Sequence, residues 1–213
     1  MLRLIFFSGV DGAGKSTHAR LLLLYLKRKR FKVELLWMRW FALFSYPLLL
    51  LCRLLGLTRR PRCSAIPVRE YWRCRPIAVL WLYLHLFEYL FYVAFKLLFS
   101  RSVVVADRFM LDVFIDVLYD THINAVKTFA GKFFLLYFHR LLLRGTIRGV
   151  VMHVDVATVF RRRNDIPCRS YIVFRIPVYL ALAKFFGVPI VDGRGDIAQN
   201  FKRVLEYLGL EYG

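Results

Sequence analysis

Amide side chains are almost missing from this 213-residue chain, which holds one Gln (Gln199) and three Asn. That scarcity removes the most heat-labile side chains and points toward a thermophilic source. The excess of Arg over Lys, 24 to 9, is a weaker signal in the same direction. Carboxylates are also scarce, with 14 Asp and Glu against 33 Lys and Arg, for a net charge of +19. Such a balance calls for an anionic partner, whether nucleotide, nucleic acid or acidic membrane, unless it is a thermophile's charged surface. The basic residues cluster at 27–32, 59–62, 69–75 and 161–169 and do not line one helix, so no dedicated nucleic-acid site is expected. Cysteine is limited to Cys52, Cys63, Cys74 and Cys168, with no C-x-x-C pair, which argues against a zinc site. A Cys63–Cys74 disulfide is an option only if the source keeps oxidised proteins inside the cell, as some thermophiles do. No small-residue cleavage site follows the first strand, so no secretory signal is read and a cytoplasmic location is expected. Repeats and low-complexity segments are absent, and the length suits one domain spanning 1–213.

Apolar residues, by contrast, are abundant: 59% of the chain, with a mean hydropathy of +0.49. Two stretches account for it, Trp40 to Leu57 and Ile77 to Phe99. Near the start stands Gly9-Val10-Asp11-Gly12-Ala13-Gly14-Lys15-Ser16, followed by Thr17, which fits the phosphate-cradling pattern G-x-x-x-x-G-K-[ST]. It follows an apolar strand, Leu2 to Phe7, and precedes Leu21, Leu22, Tyr25 and Leu26 at helical spacing. Gly9, Gly12 and Gly14 let the backbone turn its N–H groups inward, beside the positive end of the following helix. Lys15 would lie along the β- and γ-phosphates of a nucleoside triphosphate, and the Ser16 hydroxyl would bind Mg²⁺.

Further strands are read at 33–37, 102–107, 149–154 and 188–191. Helices are read at 41–57 (interrupted at Pro47 and closed by Gly56), from about 77 to about 100, near 110–120, and at 123–143, 156–163, 169–186 and 197–208. Residues 59–67 read as a loop. Five apolar strands separated by helices predict a parallel sheet with right-handed crossovers: an α/β, three-layer P-loop NTPase fold with helices on both faces and an Arg-rich segment at about 160–170.

Asp107-Arg108 closes the third strand, where ligands bind in open α/β sheets. The carboxylate there can hold the Mg²⁺ shell, and the guanidinium can grip a phosphate bidentately. Trp81, His85, Glu88 and Tyr92 share one helix face and would either line an acceptor pocket or form a core stripe. Tyr71 and Trp72, flanked by Arg69, Arg73 and Arg75, would stack a base or pack a loop on the core.

The loop segment Phe7 to Thr17 resembles that of thymidylate kinases, including the aspartate within the glycine run. Val104-Val105-Ala106-Asp107-Arg108-Phe109 is similar to that family's aspartate–arginine–tyrosine motif, with Phe in the last place. Val154-Asp155-Val156 with its Arg-rich sequel, and Tyr179 followed by Val188 to Asp192, resemble the lid and the C-terminal elements. The resemblance implies transfer of the ATP γ-phosphoryl group to a nucleoside monophosphate, most plausibly dTMP, by a homodimer. It places Asp11 on the acceptor sugar and Arg108 on the acceptor phosphate. Lid arginines from among Arg161, Arg162, Arg163 and Arg169, above all Arg161 and Arg163, would close over the transferring group. Two family features are missing, an Arg-Glu-Pro-Gly-Gly-Thr-like stretch after Trp37 and an Asp-Arg pair near His85. The divergent acceptor half, about 40–100, keeps two alternatives open: a lipid-linked or sugar acceptor, or a non-catalytic nucleotide-binding protein that docks on membranes.

Residues 77–99 would form a helix about 34 Å long, enough to cross a bilayer core of about 30 Å. A span there would part the phosphate loop from Asp107, so burial in the domain or at a dimer interface is expected. Trp40–Leu57, with Arg53, Arg59, Arg60 and Arg62, would suit peripheral contact with acidic lipid.

Overall fold

The computed structural model describes residues 2–38, 43–60, 67–166 and 168–210. In chain order the elements are β1 (Leu4–Gly9), α1 (Lys15–Arg28), β2 (Val33–Trp37), α2 (Tyr46–Leu54), β3 (Thr58–Arg59), β4 (Val68–Arg69) and α3 (Arg75–Phe99). There follow β5 (Val103–Asp107), α4 (Met110–Thr121), α5 (Phe129–Leu143), β6 (Ile147–His153), α6 (Val156–Arg162), α7 (Arg169–Phe186), β7 (Ile190–Asp192) and α8 (Ile197–Leu208).

Five strands form one parallel sheet in the order β2-β5-β1-β6-β7. β1 lies at its centre and is buried along its whole length, as an apolar strand covered on both faces must be. α1 packs on β1, β2 and β5 and touches α8, which lies on β6 and β7; α3, α4, α5 and α7 form the other helical group. The expected fold class is the observed one.

Local differences have simple causes. Pro47 does not interrupt α2 but sits in its first turn, where a missing N–H costs nothing. The expected start of that helix at Phe41 and Ala42 lies outside the described residues, as do Trp40, Arg62 and Cys63. The expected loop at 59–67 begins and ends in a two-residue antiparallel ribbon, β3 with β4. The segment 123–143 divides because Thr128 caps α5, its hydroxyl accepting from Gly131 N, after a short 3₁₀ turn at Ala125–Lys127. Cys74 carries a free thiol, which excludes its pairing with Cys63, and Cys168 is the disulfide-bonded cysteine among those described.

α3 is long and apolar enough to cross a membrane by length and composition, but half of its most apolar window is buried. It packs on α4 and α5, and the next strand, β5, pairs directly with β1. The phosphate loop and Asp107 therefore stand side by side, as burial within the domain requires.

Candidate active site

The turn from β1 into α1 has the geometry its sequence demands. Gly9 has φ 136°, and any Cβ there would collide with the Met152 carbonyl of β6. Gly14, at φ 92°, is the left-handed residue from which α1 starts, and no side chain caps that helix end. The free N–H groups of the first turn thus face a cleft of about 420 Å³. Asp11, Gly12, Gly14, Lys15, Ser16 and Thr17 form its floor, Arg108 one side, and Arg162 and Arg163 another. Its remaining wall is His18, Gly193, Gly195, Ile197 and Asn200. Gly9 and Ala13, also expected at the site, belong to the loop but not to the cleft lining, and Ala13 is fully buried.

Lys15 is buried, and its ammonium donates to the Val10 carbonyl at 2.6 Å. Burial, followed by the Arg108 charge, lowers its pKa from 10.5 to about 7, while Asp11, Asp112 and Asp107 pull the other way. Without an anion in the cleft the lysine is therefore poised between charged and neutral, and a polyphosphate would restore its proton.

Arg108 follows β5 in a left-handed backbone conformation, φ 74°, which an L side chain adopts only where its surroundings compel it. Its N–H donates to Phe7 O at 3.0 Å. Its guanidinium pairs with Asp11 and lies 3.7 Å from Asp112. The two residues expected to meet the acceptor are thus in direct contact.

Asp107 ends β5, in register with Phe7 on one side and Trp37 on the other. Its Oδ1 is buried without a hydrogen-bond partner, while Ser16 is exposed at the cleft. No group of three His, Cys, Asp or Glu that would hold a metal occurs among the described residues. One carboxylate and one hydroxyl nevertheless suit Mg²⁺, which usually takes few protein ligands and completes its octahedron with phosphates and water.

The arginines after β6 divide. Arg162 reaches the loop, donating to Gly12 O at 3.1 Å, and Arg163 lines the cleft while held by Asp165 (Nε to Oδ1, 2.7 Å). Arg161, expected to act with Arg163, instead leans on Thr158 of its own helix at 3.5 Å and does not line the cleft. Arg169 opens α7 and is exposed. Arg162 therefore stands where Arg161 was expected.

The stripe on α3 is core rather than cleft wall. Trp81 and His85 are buried and stack in parallel at 4.8 Å, with Tyr71 edge-on to the indole at 4.8 Å. Burial, then the Arg69 charge, pushes the His85 pKa down to about 3, with Asp116 partly opposing. Glu88 caps residues 43–45, accepting from Phe44 N (2.7 Å), Ser45 N (3.1 Å), Ser45 Oγ (2.6 Å) and Leu43 N. Trp72 is half-exposed and stacks on His122 at 5.1 Å. None of Trp72, Trp81, His85 and Glu88 lines the 420 Å³ cleft.

Sequence reasoning missed a buried polar ladder. Asp112, Asp116 and Asp120 recur every four residues on α4, and Tyr171, Arg175 and Tyr179 do so on α7. The Tyr179 hydroxyl donates to Asp112 Oδ1 (2.7 Å), Arg175 donates to Tyr179 (2.9 Å) and pairs with Asp116, and Asp120 receives Arg69 (2.7 Å). Asp112 also caps α4, accepting from Phe109 N at 3.0 Å. The i, i+4 spacing was visible in each helix, but nothing in one helix announced the other. His18 was also missed: it lies one turn past Gly14, its Nδ1 against Gly14 O at 2.9 Å, with a buried Nε2 that has no hydrogen-bond partner.

No family model matches this chain, and no curated protein matches it. Among solved structures it is similar to deoxyadenosine kinase from M. mycoides with bound dATP, at TM-score 0.55 and 14% identity, over 97% of this chain and 99% of that one. A second structure of that enzyme, with bound dCTP, aligns at TM-score 0.48 and 16% identity over 97% of this chain and 98% of that one. The sheet order, the glycine loop and this likeness define the class: the chain has the fold of P-loop nucleoside kinases. The likeness does not single out thymidylate kinases within that superfamily.

Proposed function

We propose that this chain transfers the γ-phosphoryl group of ATP to a nucleoside-type acceptor, a nucleoside monophosphate in the first instance, with dTMP the first to try. The observation that carries the reading is the contact of Asp11 with Arg108 at the edge of a cleft floored by the glycine loop and Lys15. Phosphoryl transfer asks a protein mainly for positioning and for charge stabilisation on the phosphoryl oxygens.

In this reading the N–H groups of residues 12–17 and Lys15 hold the β- and γ-phosphates. Arg162 and Arg163 cover the transferring group once Asp165 releases the latter. Arg108 takes the acceptor's anionic end, and Asp11, freed from it, meets a sugar hydroxyl. Mg²⁺ held by Ser16 and Asp107 would supply charge neutralisation on the triphosphate. His18 and Asn200 also line the cleft, and in this reading they meet the donor nucleotide beyond its phosphates.

A second reading, phosphorylation of a deoxynucleoside rather than its monophosphate, is supported by the likeness to deoxyadenosine kinase. Coupled turnover with ATP, Mg²⁺ and a panel of deoxynucleosides and their monophosphates separates the two. Turnover with dTMP supports the first and turnover with a deoxynucleoside alone the second, while neither turnover nor ATP binding rejects both.

Two further features belong to the proposal. The single domain is cytoplasmic, and it pairs with a second copy through the apolar face where Phe87 of α3 meets Phe133 of α5 at 6.2 Å. Sedimentation equilibrium showing only monomer would remove the pairing.

A further inference from the structure

Helix α2 has more apolar surface than the fold needs. Its inward face, Leu48, Leu49 and Cys52, is already buried in the core, and its N-terminal end is fixed by the Glu88 carboxylate. Its outward face should then be polar. Instead it presents Leu50, Leu51 and Leu54, the last 85% exposed, continuing the exposed Leu43 and Phe44 ahead of the helix. Arg53, Arg59 and Arg60 are exposed beside them.

The charge pattern selects the occupant. Between Glu34 and Glu70 there is no acidic residue, while six arginines fall in that interval. A second copy meeting it through the same face would bring the same basic rim and, from this interval, no carboxylate to meet it. An anionic bilayer supplies both the apolar interior and the negative headgroups. We infer that the outward face of α2 docks this protein on anionic membrane surfaces, its leucines entering the headgroup boundary and Arg53, Arg59 and Arg60 meeting the lipid phosphates. The docking adds a location to the kinase reading and does not depend on it. Each arginine near such a surface is worth about a fivefold gain in partitioning, and the leucines add an apolar component that salt does not screen.

Co-sedimentation of the full chain with vesicles tests this, using phosphatidylcholine alone and phosphatidylcholine with about one third phosphatidylglycerol. The expected result is binding to the anionic vesicles, weak binding to the neutral ones, and partial retention in high salt. The charge-neutral pair Leu50→Ser with Leu54→Ser should lower partitioning by about tenfold or more and leave the melting temperature unchanged. A remote pair, Lys202→Ser with Arg203→Ser on α8, controls for total charge and should cost much less. No loss from the leucine pair beside a clear loss from the α8 pair would mean that net charge alone drives binding, which overturns the inference. It is equally overturned if the wild-type chain ignores anionic vesicles, or if the leucine pair breaks a dimer while vesicle binding persists.

Discussion

Two ends of this molecule treat polar atoms in opposite ways. At the glycine loop they are left waiting: helix N–H groups without a side-chain cap, an Asp107 oxygen without a hydrogen bond, a lysine held by a backbone carbonyl. Around α3 the charged side chains are consumed, Glu88 by the start of α2, Arg69 by Asp120 and Arg175 by Asp116. Since buried polar groups are normally satisfied from within, groups left unsatisfied beside an open cleft mark where a ligand completes the structure.

The sharpest break of that comparison is Lys15→Met. Turnover should fall by a factor on the order of 10² to 10³ or more, with weaker triphosphate binding. The melting temperature should hold or rise, because a buried cation has been removed. Retained activity would remove the role assigned to Lys15. At the other end, Glu88→Ala should cost about 2–3 kcal/mol of stability by stranding the N–H groups of residues 43–45, as read from denaturant unfolding. Its turnover per folded molecule should stay near wild type, and a large loss in kcat at unchanged stability would instead put Glu88 in the acceptor site.

A milder probe is pH. The unliganded Lys15 titrates near 7, and an anion bound beside it raises that value, so binding takes up a proton. ATP affinity should therefore fall as pH rises above about 7, by up to about tenfold per unit, in isothermal titration. The same depressed lysine binds fewer protons folded than unfolded between about 7 and 10.5, so its contribution to stability improves with rising pH in that window. The smallest expected effect is that of His18→Ala, a rise of about threefold to tenfold in KM for ATP with kcat nearly unchanged. A fall in kcat alone would move His18 out of the donor end.

What could be read in advance follows the same division. The loop was legible because its chemistry is local: glycines for the turn, a lysine and a hydroxyl at fixed offsets, a helix to follow. The sheet was legible from Val103 to Asp107 and its four companions because buried parallel strands are written as apolar runs. The stripe Trp81, His85, Glu88 was found, but its destination was not, since one helix face cannot say whether a cleft or another helix covers it. Arg161 and Arg162 differ by one position, about 100° of helical turn, and which of them meets the loop depends on the packing of α6. The ladder of Asp112, Asp116 and Asp120 with Tyr171, Arg175 and Tyr179 was present as two periodic patterns 59 residues apart, as the Asp116–Arg175 pair shows.

That ladder restrains how the arginine segment can move. Three successive turns of α7 are bolted to two of α4, at Asp112 and Asp116, so α7 cannot slide or rotate without parting a buried ion pair, at a cost of about 3–5 kcal/mol. Any swing that carries Arg162 and Arg163 over a bound nucleotide must therefore pivot ahead of Tyr171. A hinge for such a swing would be confined to a few residues, with the disulfide-bonded Cys168 among them.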